Sequence, residues 1–132
     1  MPESKCILVV DDEEDLRIIL GSLLESMGYE IQTANDGVEA LKMIESQQGM
    51  PFYAIVSDWM MPNGNGMELL NQLRSGPSRA TPFVLMTGAY SAEQLRNVQN
   101  LGPDSTLIKP FSKTVLKEKI EEAVRIRQSS TG

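Results

Sequence analysis

The hydrophobic pattern divides the chain into short apolar runs and longer stretches with helical spacing. Four of the runs are continuous, and they occupy residues 6–10, 53–56, 83–86 and 107–108. Short continuous runs are typical of strands that are buried on both faces of a parallel sheet. A fifth run, residues 30–34, alternates more between polar and apolar positions, which predicts an edge strand.

Apolar residues at helical spacing follow each run, so the pattern predicts five helices. Gly28 suits a left-handed end of the first helix, Asn35-Asp36-Gly37 offers a turn and cap before the second, and Ser112 can cap the last. The residues of the third and last helices in this pattern are expected to face the sheet. The pattern comprises Leu16, Ile19, Leu20, Leu23, Leu24 and Met27 on the first helix, Val38, Leu41 and Ile44 on the second, Met67, Leu70 and Leu73 on the third, Leu95 and Val98 on the short fourth, and Leu116, Ile120, Ala123 and Val124 on the last.

Repeated strand–helix units with short connections predict an α/β fold with a doubly wound, five-stranded parallel sheet. With the second strand at an edge, the strand order is 2-1-3-4-5, as in flavodoxin-like folds. The first and third strands are then neighbours whose connections leave in opposite directions, and folds of this class bind ligands at that switch point. We expect one domain over residues 1–132, with a core at about 5–127 and a polar tail at 128–132.

Composition limits the functions that this fold could serve. The net charge of −6 disfavours direct binding to nucleic acid or to anionic membranes, and no apolar stretch is long enough for membrane insertion. The single cysteine, Cys6, excludes an internal disulfide and favours a cytoplasmic location. The chain has no histidine, which excludes His-based zinc sites, Ser-His triads and a phosphohistidine intermediate. A phosphoryl group handled here must therefore arrive on another molecule.

Residues suited to phosphate chemistry stand at the ends of four predicted strands. Asp11 and Asp12 follow the first strand, and Asp58 ends the third. Thr87 follows the fourth strand and Lys109 follows the fifth. Because the carboxyl ends of parallel strands share one edge of the sheet, we expect these five residues to meet there.

The chemistry of this group favours phosphoryl transfer assisted by a cation. Neighbouring carboxylates repel one another and therefore take up protons or gather a cation, and oxygen ligands without His or Cys favour a hard ion such as Mg²⁺. A carboxylate left free could act as a nucleophile, and Asp58 is best placed because it ends a central strand. Mg²⁺, the Lys109 ammonium and the Thr87 hydroxyl (or a loop N–H) could each bind one equatorial oxygen of the transferred group.

In order and position, these residues resemble the signature of the receiver domains of two-component response regulators. The matching elements are the Asp11-Asp12 pair, segment 58–66 with its pattern Asp-x-x-Met-Pro-x-x-x-Gly, Thr87, and the sequence Lys109-Pro110-Phe111. The resemblance covers the chain from about residue 5 to residue 127. It implies a flavodoxin-like receiver fold and a function in signalling.

The resemblance also implies a role for each matching residue. Asp58 would be the phosphoacceptor. Asp12, Asp58 and the backbone carbonyl of Met60 would ligate Mg²⁺, and Asp11 would act mainly through water. Thr87 would be the switch hydroxyl. Lys109 would be the phosphoryl-binding cation, with a cis bond to Pro110.

Two positions beside the predicted site tune the lifetime of the phosphoryl group in the family that this chain resembles. Met60 lies two residues after Asp58, and Ala89 lies two residues after Thr87. Neither side chain can orient an attacking water by a hydrogen bond, so we predict slow hydrolysis. Gly88, directly after Thr87, keeps the approach to Asp58 open.

One position departs from the family pattern. Thr106 stands three residues before Lys109, where receiver domains usually carry Tyr or Phe. In the family, that ring turns inward when the threonine hydroxyl moves toward the phosphoryl group. Thr106 has no ring to move, and Tyr90 in the loop after Thr87 is a hypothetical substitute.

The favoured function is a phosphorylation-controlled signalling switch and not a conventional enzyme. A sensor histidine kinase or a histidine phosphotransfer protein would donate the phosphoryl group, and the domain with its Mg²⁺ would assist the transfer. Because no segment follows the last predicted helix, we expect the output to be contact with another protein, whose identity the sequence does not give.

Three alternatives share parts of the pattern. A haloacid-dehalogenase-type phosphatase needs an acid two residues after its nucleophile, where this chain has Met60. A flavodoxin-like electron carrier needs aromatic and phosphate-binding loops, where this chain carries acids that would repel a flavin phosphate. An interaction module that keeps the fold without being phosphorylated is the third alternative, which Thr106 leaves open.

Overall fold

The computed structural model describes residues 5–46, 52–59, 66–76, 80–88, 91–100 and 102–130. Strands and helices alternate along these residues in the predicted order. The strands are β1 (Cys6–Val10), β2 (Glu30–Ala34), β3 (Ala54–Asp58), β4 (Phe83–Thr87) and β5 (Ser105–Ile108). The helices are α1 (Glu14–Ser26), α2 (Gly37–Ser46), α3 (Gly66–Ser75), α4 (Ala92–Asn100) and α5 (Lys113–Ser130).

The five strands form one parallel sheet in the order β2-β1-β3-β4-β5. The predicted fold class and strand order are therefore confirmed. β2 lies at an edge and exposes most of its side chains, which explains its more polar pattern. β1 and β3 are neighbours, with Leu8 paired with Ile55. The chain leaves these two strands toward opposite edges of the sheet, so the switch point lies between them.

The core covers both faces of the sheet because successive side chains of a strand point to opposite faces. Leu8 and Ile55 lie on the face covered by α2 and α3, which contribute Ala40, Ile44, Leu69, Leu70 and Leu73. Ile7 and Val56 lie on the face covered by α1 and α5, which contribute Leu20, Leu24, Leu116, Ile120 and Ala123. Every residue of β3 is buried, which is why its sequence shows no alternation.

Three helix ends use the residues predicted from the sequence. Gly28 follows α1 with a φ of 97°, a left-handed value that favours glycine. The Asp36 carboxylate accepts a hydrogen bond of 2.7 Å from the backbone N–H of Glu39 in the first turn of α2. The Ser112 hydroxyl accepts one of 3.2 Å from the N–H of Val115 in α5. These contacts satisfy backbone groups that a helix end leaves unpaired.

Three residues at helical spacing are exposed to solvent and do not belong to the core. Ile19, Val38 and Met67 are 55%, 45% and 37% exposed, so the prediction that Met67 faces the sheet is wrong. The reason is the width of the stripe that each helix buries. α1, for example, buries Leu20 and Leu24 and leaves the flanking Ile19 in solvent. Spacing gives the direction of such a stripe but not its edges.

The last helix is longer than the sequence pattern predicts. α5 continues to Ser130, past the expected end of the core at residue 127. The added residues, 128–130, include neither glycine nor proline, so nothing in the backbone interrupts the helix.

Polar side chains fasten α3 and α5 to the amino-terminal edge of the sheet. The carboxylate of Asp104, just before β5, accepts hydrogen bonds of 2.7 Å from Arg74 of α3 and 2.6 Å from Arg127 of α5. It also accepts one of 2.8 Å from the backbone N–H of Phe83. This buried carboxylate is therefore fully hydrogen-bonded.

A second polar cluster lies at the same edge. The hydroxyl of Tyr29 donates to the Glu121 carboxylate of α5 over 2.6 Å, and the hydroxyl of Tyr53 approaches the same carboxylate at 3.0 and 3.2 Å. Burial and this carboxylate raise the pKa of Tyr29, and they raise the pKa of Tyr53 to about 12. Both tyrosines therefore remain protonated hydrogen-bond donors over the physiological range.

Candidate functional site

The carboxyl-terminal edge of the sheet brings three of the predicted residues into direct contact. Asp11 follows β1, Asp58 ends β3 and Lys109 follows β5. The Lys109 ammonium lies 3.4 Å from an oxygen of Asp58 and 3.8 Å from Oδ2 of Asp11. These groups are far apart in sequence and meet because parallel strands end at one edge.

Thr87 joins the same edge through the backbone. It ends β4, is buried, and its carbonyl accepts a hydrogen bond of 2.8 Å from the N–H of Lys109. Met86, which precedes it, is paired with Asp58 in the adjacent strand. Thr87 is therefore fixed between the strand that carries the acid and the segment that carries the ammonium.

The turn between β1 and α1 gathers a group of carboxylates. Asp11, Asp12 and Glu13 each offer a carboxylate oxygen, and these oxygens all lie within 4.8 Å of one another. Asp11 is buried, whereas Asp12 and Glu13 are exposed. The group therefore reaches from the interior of the sheet edge out to solvent.

Backbone contacts hold this turn in place. One oxygen of the Asp11 carboxylate accepts a 2.9 Å hydrogen bond from the N–H of Glu13, the residue directly before α1. The guanidinium of Arg17, one turn into the helix, donates to the Asp11 carbonyl over 2.7 Å. The N–H of Asp11 donates to the carbonyl of Ala34 in β2 over 3.2 Å. The acidic pair thus sits on a backbone fixed by a strand and a helix.

The electrostatics of the site favour a bound positive charge. Burial raises the pKa of Asp11, and the neighbouring carboxylates of Asp58 and Asp12 raise it further, against the lowering effects of the Glu13 N–H and Lys109. Burial likewise raises the pKa of Asp58, while the Lys109 ammonium partly lowers it. One ammonium therefore does not compensate for all the carboxylates gathered at this edge.

One oxygen atom of the site is left without a hydrogen bond. Among the described residues, Oδ2 of Asp11 is the buried side-chain oxygen or nitrogen that lacks such a partner, with the Lys109 ammonium at 3.8 Å as its ion-pair neighbour. A buried carboxylate oxygen in this state costs free energy unless a donor or a cation reaches it. The available ligands are all oxygens, which fits a hard divalent cation such as Mg²⁺.

A family model of the response regulator receiver domain matches residues 7–121. The chain belongs to this family. Receiver domains are signalling switches of two-component systems and not conventional enzymes, and this chain is a CheY-like phosphoacceptor of that kind. Several families share this strand order, and the match shows that the chain belongs to the receiver domains among them.

Three relatives illustrate the range of proteins that contain such a domain. The chemotaxis protein CheY-3 of Vibrio cholerae serotype O1 is 33% identical over 118 residues, which cover 88% of each chain. The CAI-1 autoinducer sensor kinase/phosphatase CqsS of the same organism is 37% identical over 116 residues, which are 86% of this chain and 16% of that protein. The solved structure of V. cholerae chemotaxis protein CheY4 superimposes with a TM-score of 0.77 at 30% identity, over 91% of this chain and 98% of that one.

The remaining predicted residues have different outcomes. The Lys109–Pro110 peptide is cis, as the family resemblance implies. Gly88 follows β4 directly and is partly exposed.

The described residues do not include Met60, Ala89 and Tyr90, nor Pro62 and Gly64 of the loop after Asp58. Thr106 is buried in β5, opposite Leu85 of β4. No helix in the described part of the receiver domain has the length and apolar character needed to cross a bilayer.

Two residues of the receiver site were missed by sequence reasoning. Glu13 adds a carboxylate to the acidic group, and its position next to the Asp11-Asp12 pair was the available signal. Arg17 holds the Asp11 carbonyl, and its only signal was a basic residue one helical turn after Glu13. A long side chain that reaches back to a backbone carbonyl leaves no pattern in the sequence.

Proposed function

We propose that this receiver domain accepts a phosphoryl group on Asp58 from a sensor histidine kinase or a histidine phosphotransfer protein, and signals through contacts with another protein. The observation that carries the proposal is the placement of the Lys109 ammonium, 3.4 Å from Asp58 and 3.8 Å from Asp11. A nucleophile, a fixed cation and additional carboxylates are what an aspartyl-phosphate site requires.

Asp58 is the nucleophile of the proposed transfer. One oxygen of its carboxylate forms a bond to phosphorus while the bond between phosphorus and the donor's imidazole nitrogen breaks. The electron pair of that bond returns to the imidazole, which takes up a proton. Lys109 stabilises the charge on the phosphoryl oxygens, and the Thr87 hydroxyl donates a hydrogen bond to one of them.

Mg²⁺ is the cofactor that this site would hold. Its ligands would be the carboxylates of Asp12 and Asp58 and the backbone carbonyl of Met60, with Asp11 acting through water. Glu13 adds negative charge at the solvent side of the group. When bound, Mg²⁺ neutralises negative charge on the phosphoryl oxygens and among the carboxylates. The unpartnered Oδ2 of Asp11 supports such a cation, because an ordered ligand water could donate to that oxygen.

Hydrolysis of the phosphorylated form is expected to be slow. Gly88 has no side chain to block the approach of water to Asp58, so the approach depends on the residues next to Asp58 and Gly88. Met60 and Ala89 offer no group that orients a water toward phosphorus. We therefore expect replacement of Met60 by Asn to speed the loss of phosphate. A wild-type protein that loses phosphate faster than Met60→Asn would contradict this expectation.

The function is tested by intact-mass spectrometry after incubation with acetyl phosphate and Mg²⁺. Wild-type protein should gain the mass of one phosphoryl group, and Asp58→Asn should gain none. Lys109→Ala should retain its fold and gain far less, because the developing charge then lacks its fixed cation. The proposal is refuted if the wild-type chain gains no phosphoryl group under conditions that label a control receiver domain.

A second measurement uses Trp59, the only tryptophan, which follows the phosphoacceptor and packs partly against the core. Its fluorescence should change on adding Mg²⁺ and change again on adding beryllofluoride, an acyl-phosphate mimic. Asp58→Asn should abolish the second change. A second response that persists in Asp58→Asn would place the mimic elsewhere.

A further inference from the structure

Helix α3 begins directly against the end of β3. Gly66, its first residue, is buried and donates a backbone hydrogen bond of 2.9 Å to the carbonyl of Trp59. A Cβ atom on Gly66 would lie 2.5 Å from the carbonyl oxygen of Asp58 and 3.1 Å from the Cα of Trp59. The first of these distances is shorter than a carbon atom tolerates, so a side chain at this position requires something to move.

The present position of the Asp58 backbone depends on several neighbouring hydrogen bonds, which a collision at this point would disturb. The Ser57 hydroxyl donates to the Asp58 carbonyl over 3.0 Å, and the N–H of Trp59 donates to the carbonyl of Met86 in β4 over 3.0 Å. Ser57 is in turn paired with Val10 of β1. The peptide that carries the phosphoacceptor is thus tied into the centre of the sheet.

Space, and not backbone conformation, is what demands glycine at this position. Within the described residues, the glycines with positive φ are Gly28 and Gly102, and Gly66 is not among them. A third contact of the added Cβ, 2.8 Å from Cδ1 of Leu85, is with a side chain that is itself fully buried. The close approach of α3 to Asp58 therefore depends on the missing side chain alone.

We propose that Gly66 is a positioning residue for the phosphoacceptor, an inference that rests on the proposed function of Asp58. With any side chain at position 66, either α3 moves away or the Asp58 peptide rotates. Rotation changes the aim of a carboxylate that now lies 3.4 Å from the Lys109 ammonium. A misplacement of about 1 Å can cost on the order of a hundredfold in rate, so a small rotation is enough to impair the transfer.

The test compares Gly66→Ala with Gly76→Ala, a matched control at the other end of α3. A Cβ on Gly76 would lie 3.4 Å from the carbonyl oxygen of Gln72 and 3.9 Å from that of Leu73, which are van der Waals distances. The rate of phosphorylation by acetyl phosphate at saturating Mg²⁺ is measured by intact mass, with the folded fraction taken from circular dichroism. Gly66→Ala should be slower than wild type by about tenfold or more per folded molecule, and Gly76→Ala should match wild type.

Two further variants separate positioning from loss of stability. Leu73→Ala removes a fully buried side chain of α3 that belongs to the core and should destabilise the domain without slowing phosphorylation per folded molecule. Gly66→Ala combined with Leu85→Ala removes the side-chain collision and keeps the collision with the Asp58 carbonyl. This double variant should remain slow relative to Leu85→Ala, in assays that contain trimethylamine N-oxide to favour the folded state.

The outcomes distinguish this inference from the proposed function. A wild-type protein that gains no phosphate refutes the function of Asp58. Equal phosphorylation rates of wild type and Gly66→Ala refute the proposed role of Gly66 and leave the function of Asp58 intact. Equal rates in the double variant and Leu85→Ala, or a failure of both Gly66 variants to fold with the osmolyte present, give Gly66 a purely structural role and overturn the inference.

Discussion

The two edges of the sheet treat a buried carboxylate in opposite ways. At the amino-terminal edge, the 1% exposed side chain of Asp104 has two arginines and a backbone N–H on its oxygens. At the carboxyl-terminal edge, the fully buried side chain of Asp11 has one oxygen without a hydrogen bond and an ammonium only at 3.8 Å. The first carboxylate is neutralised by the protein itself, whereas the second still has room for a ligand's charge.

This difference supports the proposal that one edge stabilises the fold and that the other binds the ligand. A carboxylate with all its hydrogen bonds made joins α3, β4 and α5 and has nothing further to bind. Carboxylates that repel one another favour the binding of a cation, and the raised pKa values of Asp11 and Asp58 reflect this repulsion together with burial. Sites of this kind lower the stability of the ligand-free protein, because groups are arranged for a ligand and not for one another.

The largest effect is expected from removing the carboxylate at the amino-terminal edge. Asp104→Ala removes the carboxylate to which Arg74 and Arg127 both donate, together with the acceptor of the Phe83 N–H, and should cost about 3–5 kcal/mol of unfolding free energy in urea titrations. Glu122→Ala is the control, because it removes only an exposed partner of Lys119 and should cost less than about 1 kcal/mol. Equal losses in the two variants would show that the Asp104 contacts do not stabilise the fold.

The opposite edge should be stabilised by a divalent cation. At a free Mg²⁺ concentration of about 100 times its dissociation constant, the unfolding free energy should rise by about 2.7 kcal/mol, and EDTA should remove the gain. Asp104→Ala should keep the whole increment in melting experiments, since Asp104 precedes β5 and lies at the opposite end of the strands from the acidic group. Asp12→Asn should lose most of it. An increment that survives in Asp12→Asn would place the cation elsewhere.

Without a cation, removing charge at the carboxyl-terminal edge should stabilise the domain. The pKa of Asp11 is raised in the folded state, so its stabilising contribution is complete below the unfolded value near pH 4 and is lost as pH rises through the folded pKa. Asp11→Asn should therefore be more stable than wild type by about 1–2 kcal/mol at pH 7 in EDTA. The difference should shrink or reverse below pH 4, measured by urea unfolding across pH. A variant that is less stable at pH 7 would contradict the comparison.

The smallest effect concerns the tyrosines at the amino-terminal edge. Tyr53→Phe removes the hydroxyl contacts at 3.0 and 3.2 Å to Glu121 and should cost about 1 kcal/mol at neutral pH. The pKa of Tyr53 is raised from 10.0 to about 12, so this contribution is present below pH 10 and is lost as pH rises toward 12. Wild type and variant should therefore converge in stability over that range. A gap that stays constant up to pH 12 would rule out the hydroxyl as its source.

Most of the fold followed from local pattern. The continuous apolar runs predicted strands buried on both faces, and the polar alternation at residues 30–34 predicted the edge position of β2. Gly28, Asp36 and Ser112 predicted helix ends that the structure confirms. The misjudged positions, such as Met67, lie at the borders of buried stripes, where exposure depends on how a helix is rotated against the sheet.

The sequence by itself determined the chemistry that could meet at the carboxyl-terminal edge, because Asp11, Asp58, Thr87 and Lys109 each end or follow a strand of a parallel sheet. Only the tertiary structure decided which atoms face each other there. It left Oδ2 of Asp11 without a hydrogen bond, placed Arg17 on the Asp11 carbonyl, and brought Gly66 against Asp58. The physical reason is that residue order fixes which strand ends coincide, whereas side-chain reach and the approach of a helix depend on how all the elements pack together.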